Sequence, residues 1–540
     1  MRSFPWKDFG SAFSLSNLFF IISWKELVYP GFHHYRRPFQ PGVSEYLSVI
    51  VDVLLLSLIF MALIELSKSL KRWLAATSAV ILIVSGILAF GPLSSELIKW
   101  LLPEAERFVT LYLSGPVLCI CVFLAAKDRF RVRSIAKNLQ LLALFLLPFS
   151  LFIYLEACRY HLFNDHSLFL PQTIQSHDLA ARETQPNRRV IWIVFDELDQ
   201  ALISAARKNN TNLVDLEKLA EQSLVAENAY APNNRTQESI PALLTGVLLT
   251  EAFTISPNGL MLKPLDGTGS FMFGHGGDVF SALQDRGINS GIAGWYHPYC
   301  RIFQGRVANC VWSPLASPDC SSIDRFKSCS KQVLFRALEK VPLITRIFPD
   351  LPGINFELLG ETREVQIERN QFLNTKVQEM LSNPNLGLVF FHSSVPHLPL
   401  IGRADEEGDI TYYSSLEIVS ETIRTVRNTL ESTGQWENTV LIVSSDHAYR
   451  FKRLRDFRQL SEKERNDSMV DTRIPFIIKF AGQNSRIDYE PRINTIVTKR
   501  LILDILDNKI RDAGELVKWL DQLRRFESTL SDRTSTGRPW

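Results

Sequence analysis

The chain changes character about a third of the way along. Between residues 47 and 157 the apolar positions run together in four long blocks, 47–66, 74–90, 108–126 and 139–156, parted by short charged loops. Each block approaches the roughly 20 residues needed to cross a bilayer, so each predicts a spanning helix. An apolar stretch at 11–24 is shorter and suits a fifth span, a re-entrant piece or an interfacial helix. Lys25 and Glu26 follow it at once with no small-residue cleavage site, so no cleaved signal peptide is expected there.

The loops set the direction of the spans. Lys68, Lys71 and Arg72 follow the first block, and Lys127, Arg129, Arg131, Arg133 and Lys137 lie between the third and fourth. Short basic loops stay on the cytoplasmic side, which sends the fourth span outward near Cys158 and makes everything after it extracytoplasmic, the periplasm in a Gram-negative source. A multi-pass protein of the inner (cytoplasmic) membrane is expected.

After a polar, irregular stretch to about residue 188, short β-branched runs alternate with segments of helical period. This pattern predicts an α/β domain with a mostly parallel, buried sheet. Strands are expected at 190–195, 291–293, 386–391, 439–444 and 475–480, and helices at 213–223, 279–286, 332–339, 367–380, 416–432 and 499–506. The expected division is a transmembrane domain over 1–157, a linker over 158–188, a globular domain over 189–525 and a polar tail over 526–540.

A net charge of +2 across 540 residues and the lack of a basic stripe argue against a nucleic-acid partner. Four of the seven cysteines, Cys300, Cys310, Cys320 and Cys329, crowd into one part of the globular half. In an outside compartment they predict two disulfides, whose pairing spacing does not decide.

The chemistry gathers where the predicted strands end. Ligands of open α/β sheets bind beyond the carboxyl ends of the strands. The first strand runs into Asp196 and Glu197, the third into His392 with His397 close behind, and the fourth into Ser445, Asp446 and His447. Carboxylates and imidazoles of this kind suit a divalent ion such as zinc or manganese. Between them lies the segment 233–246, in which Pro241 and the apolar Ile240, Leu243 and Leu244 predict a helix starting near Ser239. Thr236 then stands just ahead of a helix N-terminus, a place that favours bound phosphate, and its hydroxyl is a candidate nucleophile.

The order of these pieces resembles the sulfatase and alkaline phosphatase superfamily. It runs from the strand ending Asp196-Glu197 through Pro241-Ala-Leu-Leu-Thr-Gly246, His392-Ser-Ser-Val-Pro-His-Leu-Pro399 and Ser444-Ser-Asp-His447 to Arg473-Ile-Pro-Phe-Ile-Ile-Lys479. The resemblance implies Asp196, Glu197, Thr236, Asp446 and His447 as metal ligands, Thr236 as nucleophile, and His397 as the histidine at the transferred group, a second metal or the leaving oxygen. A sulfatase needs Cys or Ser followed by x-Pro-x-Arg, whereas Thr236-Gln-Glu-Ser-Ile240 stands here, so sulfate-ester hydrolysis is not expected. Thr-x-x-Ser-x-Pro behind membrane spans is similar instead to the lipid A phosphoethanolamine transferases and lipoteichoic acid synthases.

That branch implies a membrane phospholipid donor, an envelope glycan or glycolipid acceptor, and transfer of a head group, phosphoethanolamine or phosphoglycerol, through a phospho-Thr intermediate. The alternatives are a membrane-tethered phosphodiesterase or phosphatase, or a non-catalytic scaffold for envelope polysaccharide assembly. The phosphoethanolamine enzymes carry a further histidine after the Asp-His pair, and none follows His447, which favours one metal. Arg450, Lys452, Arg453 and Arg455 suit an anionic substrate, and His297 suits a cleft wall.

Overall fold

The computed structural model describes residues 5–28, 35–36, 42–67, 137–138, 140–163, 173–175, 188–208, 211–314, 326–339, 362–404, 410–450 and 471–531. Two compact units emerge. One comprises residues 1–34, 39–167 and 316–361, the other residues 35–38, 168–315 and 362–540. The sequence pattern does not set residues 316–361 apart from the globular half.

In the first unit, Trp6–Phe19 packs on Val43–Ser67, and so does Phe326–Glu339. Two helices, Val43–Leu66 and Gln140–Arg159, are long and apolar enough to cross a membrane. Large apolar side chains stand on their outsides, with Leu55, Ile59, Phe145, Phe149 and Leu155 all more than half exposed. Such a surface suits hydrocarbon better than water. These helices correspond to the first and fourth expected spans. The second and third, at 74–90 and 108–126, lie outside the described residues. The short stretch at 11–24 forms the two helices Trp6–Phe19 and Ile21–Val28.

The second unit is built on a nine-stranded sheet. Its strands run in the order Thr173–Gln175, Asn309–Ser313, Ser290–Trp295, Leu388–Pro396, Arg189–Asp196, Thr439–Ser445, Phe476–Lys479, Leu224–Val225 and Ile487–Asp488. The five strands from Asn309–Ser313 to Thr439–Ser445 are mutually parallel, and the antiparallel pairings lie toward the two edges. All five expected strands are present.

Alternation along the strands divides the core in two. Val190, Trp192, Val194, Leu388, Phe390, Val440 and Ile442 pack on one face against Ile240, Leu243, Leu501 and Ile505. Ile191, Ile193, Phe195, Val389, Phe391, Leu441 and Val443 face the other way, onto Leu202, Leu216, Leu373, Val419 and Ile423. With both faces covered, the strands read as continuous apolar runs, which is why they were legible. The antiparallel sheet of Leu249–Ser256, Gly259–Pro264 and Phe271–Met272 is an addition that the sequence pattern did not suggest.

Of the four clustered cysteines, Cys300 and Cys310 form a disulfide, and Cys329 is disulfide-bonded as well.

Candidate active site

Three adjacent parallel strands end at the site. Arg189–Asp196 lies between Leu388–Pro396 and Thr439–Ser445, with His392 and Ser444 both in register with Val194. Residues at the ends of these strands therefore meet although they are some 200 positions apart in sequence. His392 Nε2 is 3.8 Å from Asp196 Oδ2, and His447 Nε2 is 3.9 Å from Asp196 Oδ1 and 3.5 Å from Asp446 Oδ2.

Glu197 leaves its strand at φ 66°, in the left-handed region that a residue with a Cβ adopts at a cost of about 1–3 kcal/mol. The turn is held at every polar group. The Glu197 amide donates to Asp446 Oδ1 (3.1 Å), its carbonyl accepts from the Tyr412 hydroxyl (2.5 Å), and its carboxylate accepts from Arg450 Nε (2.9 Å). Ser445 Oγ donates to the Phe195 or His447 carbonyl (2.8 Å each) and accepts from the Leu198 amide (2.9 Å), tying two strand ends together.

Thr236 is the first residue of the helix Thr236–Thr245, which Gly246 closes in the left-handed conformation. The expected start near Ser239 is corrected by three residues. Pro241 sits inside this helix rather than in its first turn, and Arg235, in extended conformation, stands at the cap position. Ser239 instead donates its hydroxyl to the Asp446 carbonyl, which fastens the helix to the strand end. The Thr236 hydroxyl is buried, 3.3 Å from Asp196 Oδ2 and 3.2 Å from His447 Nε2.

The electrostatics of this pocket call for a cation. Asp196, Glu197 and Asp446 are at most 3% exposed. Burial, reinforced by the neighbouring Asp446 and Glu197 carboxylates, pushes Asp196 well above the usual range, and burial lifts Asp446 to about 6. Burial likewise lowers His392 and His447 to about 4, so both imidazoles are neutral. Among the described residues, Asp196 Oδ1, Asp446 Oδ2 and His392 Nε2 have no hydrogen-bond partner. Buried polar atoms are seldom left so, and several converging on one point indicate a bound ion.

Asp196, Glu197 and His447 form one set able to hold a metal, and Asp196, His392 and Asp446 a second. Mixed carboxylate and imidazole donors fit a divalent transition ion. His392 is oriented by the Tyr299 hydroxyl, 2.7 Å from its Nδ1. His447 Nδ1 donates to the Ala448 carbonyl (2.9 Å), which turns the Nε2 lone pair toward Thr236 and Asp196.

The structure thus brings Asp196, Glu197, Thr236, Asp446 and His447 together. His397 stands apart from both donor sets, its Nδ1 donating to the Leu398 carbonyl (2.6 Å) and its ring 5.0 Å from that of Trp295. His297 does not line a cleft. It is fully buried, with Nε2 3.2 Å from the Thr236 carbonyl. Arg450 is spent on Glu197, and Lys452, Arg453 and Arg455 lie outside the described residues. Sequence reasoning marked His392 as a strand-end residue without assigning it to the donor set, named Ser239 only as a helix start and a motif position, and missed Tyr299 and Tyr412. Only proximity in the fold reveals the two tyrosines and the contact of Ser239 with Asp446.

A hydroxyl on a helix N-terminus stands here among buried carboxylates and neutral imidazoles at the carboxyl edge of a parallel sheet, an arrangement able to hold a divalent ion beside a nucleophile. Residues 368–506 match the sulfatase family model. Solved structures similar to the chain include a protein of the alkaline phosphatase superfamily from Vibrio parahaemolyticus, with 13% identity, a TM-score of 0.36, and 60% of this chain and 68% of that one covered. The phosphonate monoester hydrolase of Agrobacterium radiobacter shares 12% identity at a TM-score of 0.35, covering 59% and 74%. The lipoteichoic acid synthase LtaP from Listeria monocytogenes shares 12% identity at a TM-score of 0.33, covering 61% and 74%.

Proposed function

We propose that the protein is a multi-pass enzyme of the cytoplasmic membrane. Its domain over 189–525 would work on the extracytoplasmic side, moving a phospholipid head group, phosphoethanolamine or phosphoglycerol, onto an envelope glycan or glycolipid. The observation that carries this reading is the Thr236 hydroxyl, 3.3 Å from Asp196 and 3.2 Å from His447, at a position where no residue convertible to formylglycine stands. The apolar helices Val43–Leu66 and Gln140–Arg159 support a bilayer location, which would raise the local concentration of a lipid donor.

Asp196, Glu197, Thr236, Asp446 and His447 would hold a divalent ion, zinc or manganese, which when bound lowers the pKa of the Thr236 hydroxyl and offsets charge on the phosphoryl oxygens. Thr236 Oγ1 gives its proton to Asp196 Oδ2, 3.3 Å away, and attacks the phosphorus of the donor phosphodiester, and the bond from phosphorus to the lipid alcohol breaks. His397, its Nδ1–H held by the Leu398 carbonyl, acts as imidazolium and delivers a proton from Nε2 to the departing alkoxide. The first-turn amides of Thr236–Thr245 face the anionic phosphoryl group. An acceptor hydroxyl then gives its proton to His397 Nε2 and attacks the phosphorus, and Thr236 Oγ1 leaves and takes its proton back from Asp196.

The test is product analysis on the full chain in vesicles of mixed phospholipids. Release of diacylglycerol together with labelling of an added glycan or glycolipid supports the transferase. Release that does not depend on acceptor makes the protein a hydrolase, and no release under any metal sinks the reading.

A further inference from the structure

Behind Thr236 the main chain is held by two hydrogen bonds in series that end on Tyr35. His297 Nε2 lies 3.2 Å from the Thr236 carbonyl oxygen, and His297 Nδ1 lies 2.8 Å from the Tyr35 hydroxyl. Both side chains have no exposed surface. The rings of Tyr35, Phe273, Tyr296 and Tyr299 surround the imidazole with centroids 5.0–5.9 Å away. Tyr296, at φ 69°, makes the turn that aims His297 at the helix start, and Arg36 stacks over the Tyr296 ring.

The direction of the hydrogens follows from the groups themselves. Both groups are fully buried and hydrogen-bonded to uncharged partners, a setting that holds a neutral imidazole and a protonated phenol. A carbonyl only accepts, so Nε2 carries the imidazole hydrogen. Nδ1 then offers only a lone pair, and Tyr35 donates to it. Without the Tyr35 hydroxyl, only the Thr236 carbonyl still favours the Nε2–H tautomer and the buried Nδ1 loses its donor, so the bond to Thr236 weakens.

We propose that Tyr35, acting through His297, is a positioning residue for the Thr236 hydroxyl. The inference rests on the reading of Thr236 as nucleophile. Thr236 is the first residue of its helix, so its carbonyl and its Oγ1 move together, and the 3.2 and 3.3 Å contacts of that oxygen depend on where the carbonyl is held. A misplacement of about 1 Å costs up to about a hundredfold in rate. Tyr35 precedes both long apolar helices in sequence, so a fragment starting after them lacks this support.

The test uses the full chain in detergent or nanodiscs, with Tyr35→Phe, His297→Gln and the double variant. Turnover is followed on mixed phospholipids and on a chromogenic phosphodiester, and the His297 tautomer is read from nitrogen-15 histidine spectra. The expected result is a fall in kcat of about tenfold in Tyr35→Phe with KM within about twofold. The double variant should be no worse than the more impaired single, and the nitrogen-15 shifts of His297 should move toward a mixture of tautomers in Tyr35→Phe. An unchanged kcat in Tyr35→Phe overturns the proposal even if the melting temperature falls, and so does a His297 found as the Nδ1–H tautomer in the wild type. A Thr236→Ala protein that keeps wild-type turnover overturns the nucleophile reading instead, whatever the tautomer.

Discussion

The Thr236 hydroxyl lies 3.2 Å from Nε2 of His447, although 211 residues separate the two. The contact joins a helix start to a strand end, and both are fastened from behind. Ser239 binds the Asp446 carbonyl, while the His447 ring is fixed by the Ala448 carbonyl. A preorganised hydroxyl of this kind should tolerate little change. Thr236→Ala is expected to lower kcat by at least about a thousandfold with circular dichroism and melting temperature unchanged, and Thr236→Ser to recover part of the loss. Steady-state kinetics on the two variants check this.

Tyr299 has a separate role, orienting His392 through a 2.7 Å hydrogen bond to Nδ1. Second-shell partners of metal-binding imidazoles typically contribute about 10–100-fold in metal affinity. Tyr299→Phe should lose that much zinc affinity by calorimetry. Gly294→Ala should act the same way by another route, because its Cβ would fall 2.6 Å from the Tyr299 ring and displace it.

Removing the metal should change how stability depends on pH. Asp446 is lifted to about 6 and Asp196 is raised too, both above their unfolded values. Their stabilising contribution is complete below the unfolded carboxylate pKa of about 4 and is lost as pH rises through about 6. The melting temperature of chelator-treated protein should therefore fall between pH 4 and about 7. Zinc or manganese should restore it most at the upper end, where the carboxylates are ionised, and differential scanning fluorimetry with and without metal reads both effects.

The Cys300–Cys310 disulfide closes a short loop whose first cysteine directly follows Tyr299. Replacing both cysteines with alanine is expected to cost about 2–4 kcal/mol in chemical denaturation. Because Tyr299 adjoins the first cysteine, metal affinity should fall with it. Loss of stability with unaltered affinity would show that the disulfide does not steady the His392 contact.

What was legible in the sequence follows from burial. The central strands lie between two helix layers, so Arg189–Asp196, Leu388–Pro396 and Thr439–Ser445 announce themselves as apolar runs ending in polar residues, and with them Asp196, His392, Asp446 and His447. The helix start was misread because Pro241, usually a first-turn residue, lies in the helix interior here. The supports, Tyr35, Tyr299 and Tyr412, carry no local signal. An aromatic residue in a loop reads the same whether it packs or donates, and only the fold decides.

The central claim is that Thr236 carries the transferred group. Peptide mass spectrometry on full-length protein, incubated with mixed phospholipids and zinc or manganese and quenched before adding an acceptor, tests it directly. A phosphoethanolamine or phosphoglycerol adduct on Thr236, absent from Thr236→Ala, is the result predicted. An unmodified Thr236 in metal-loaded protein that is turning over phospholipid would contradict it.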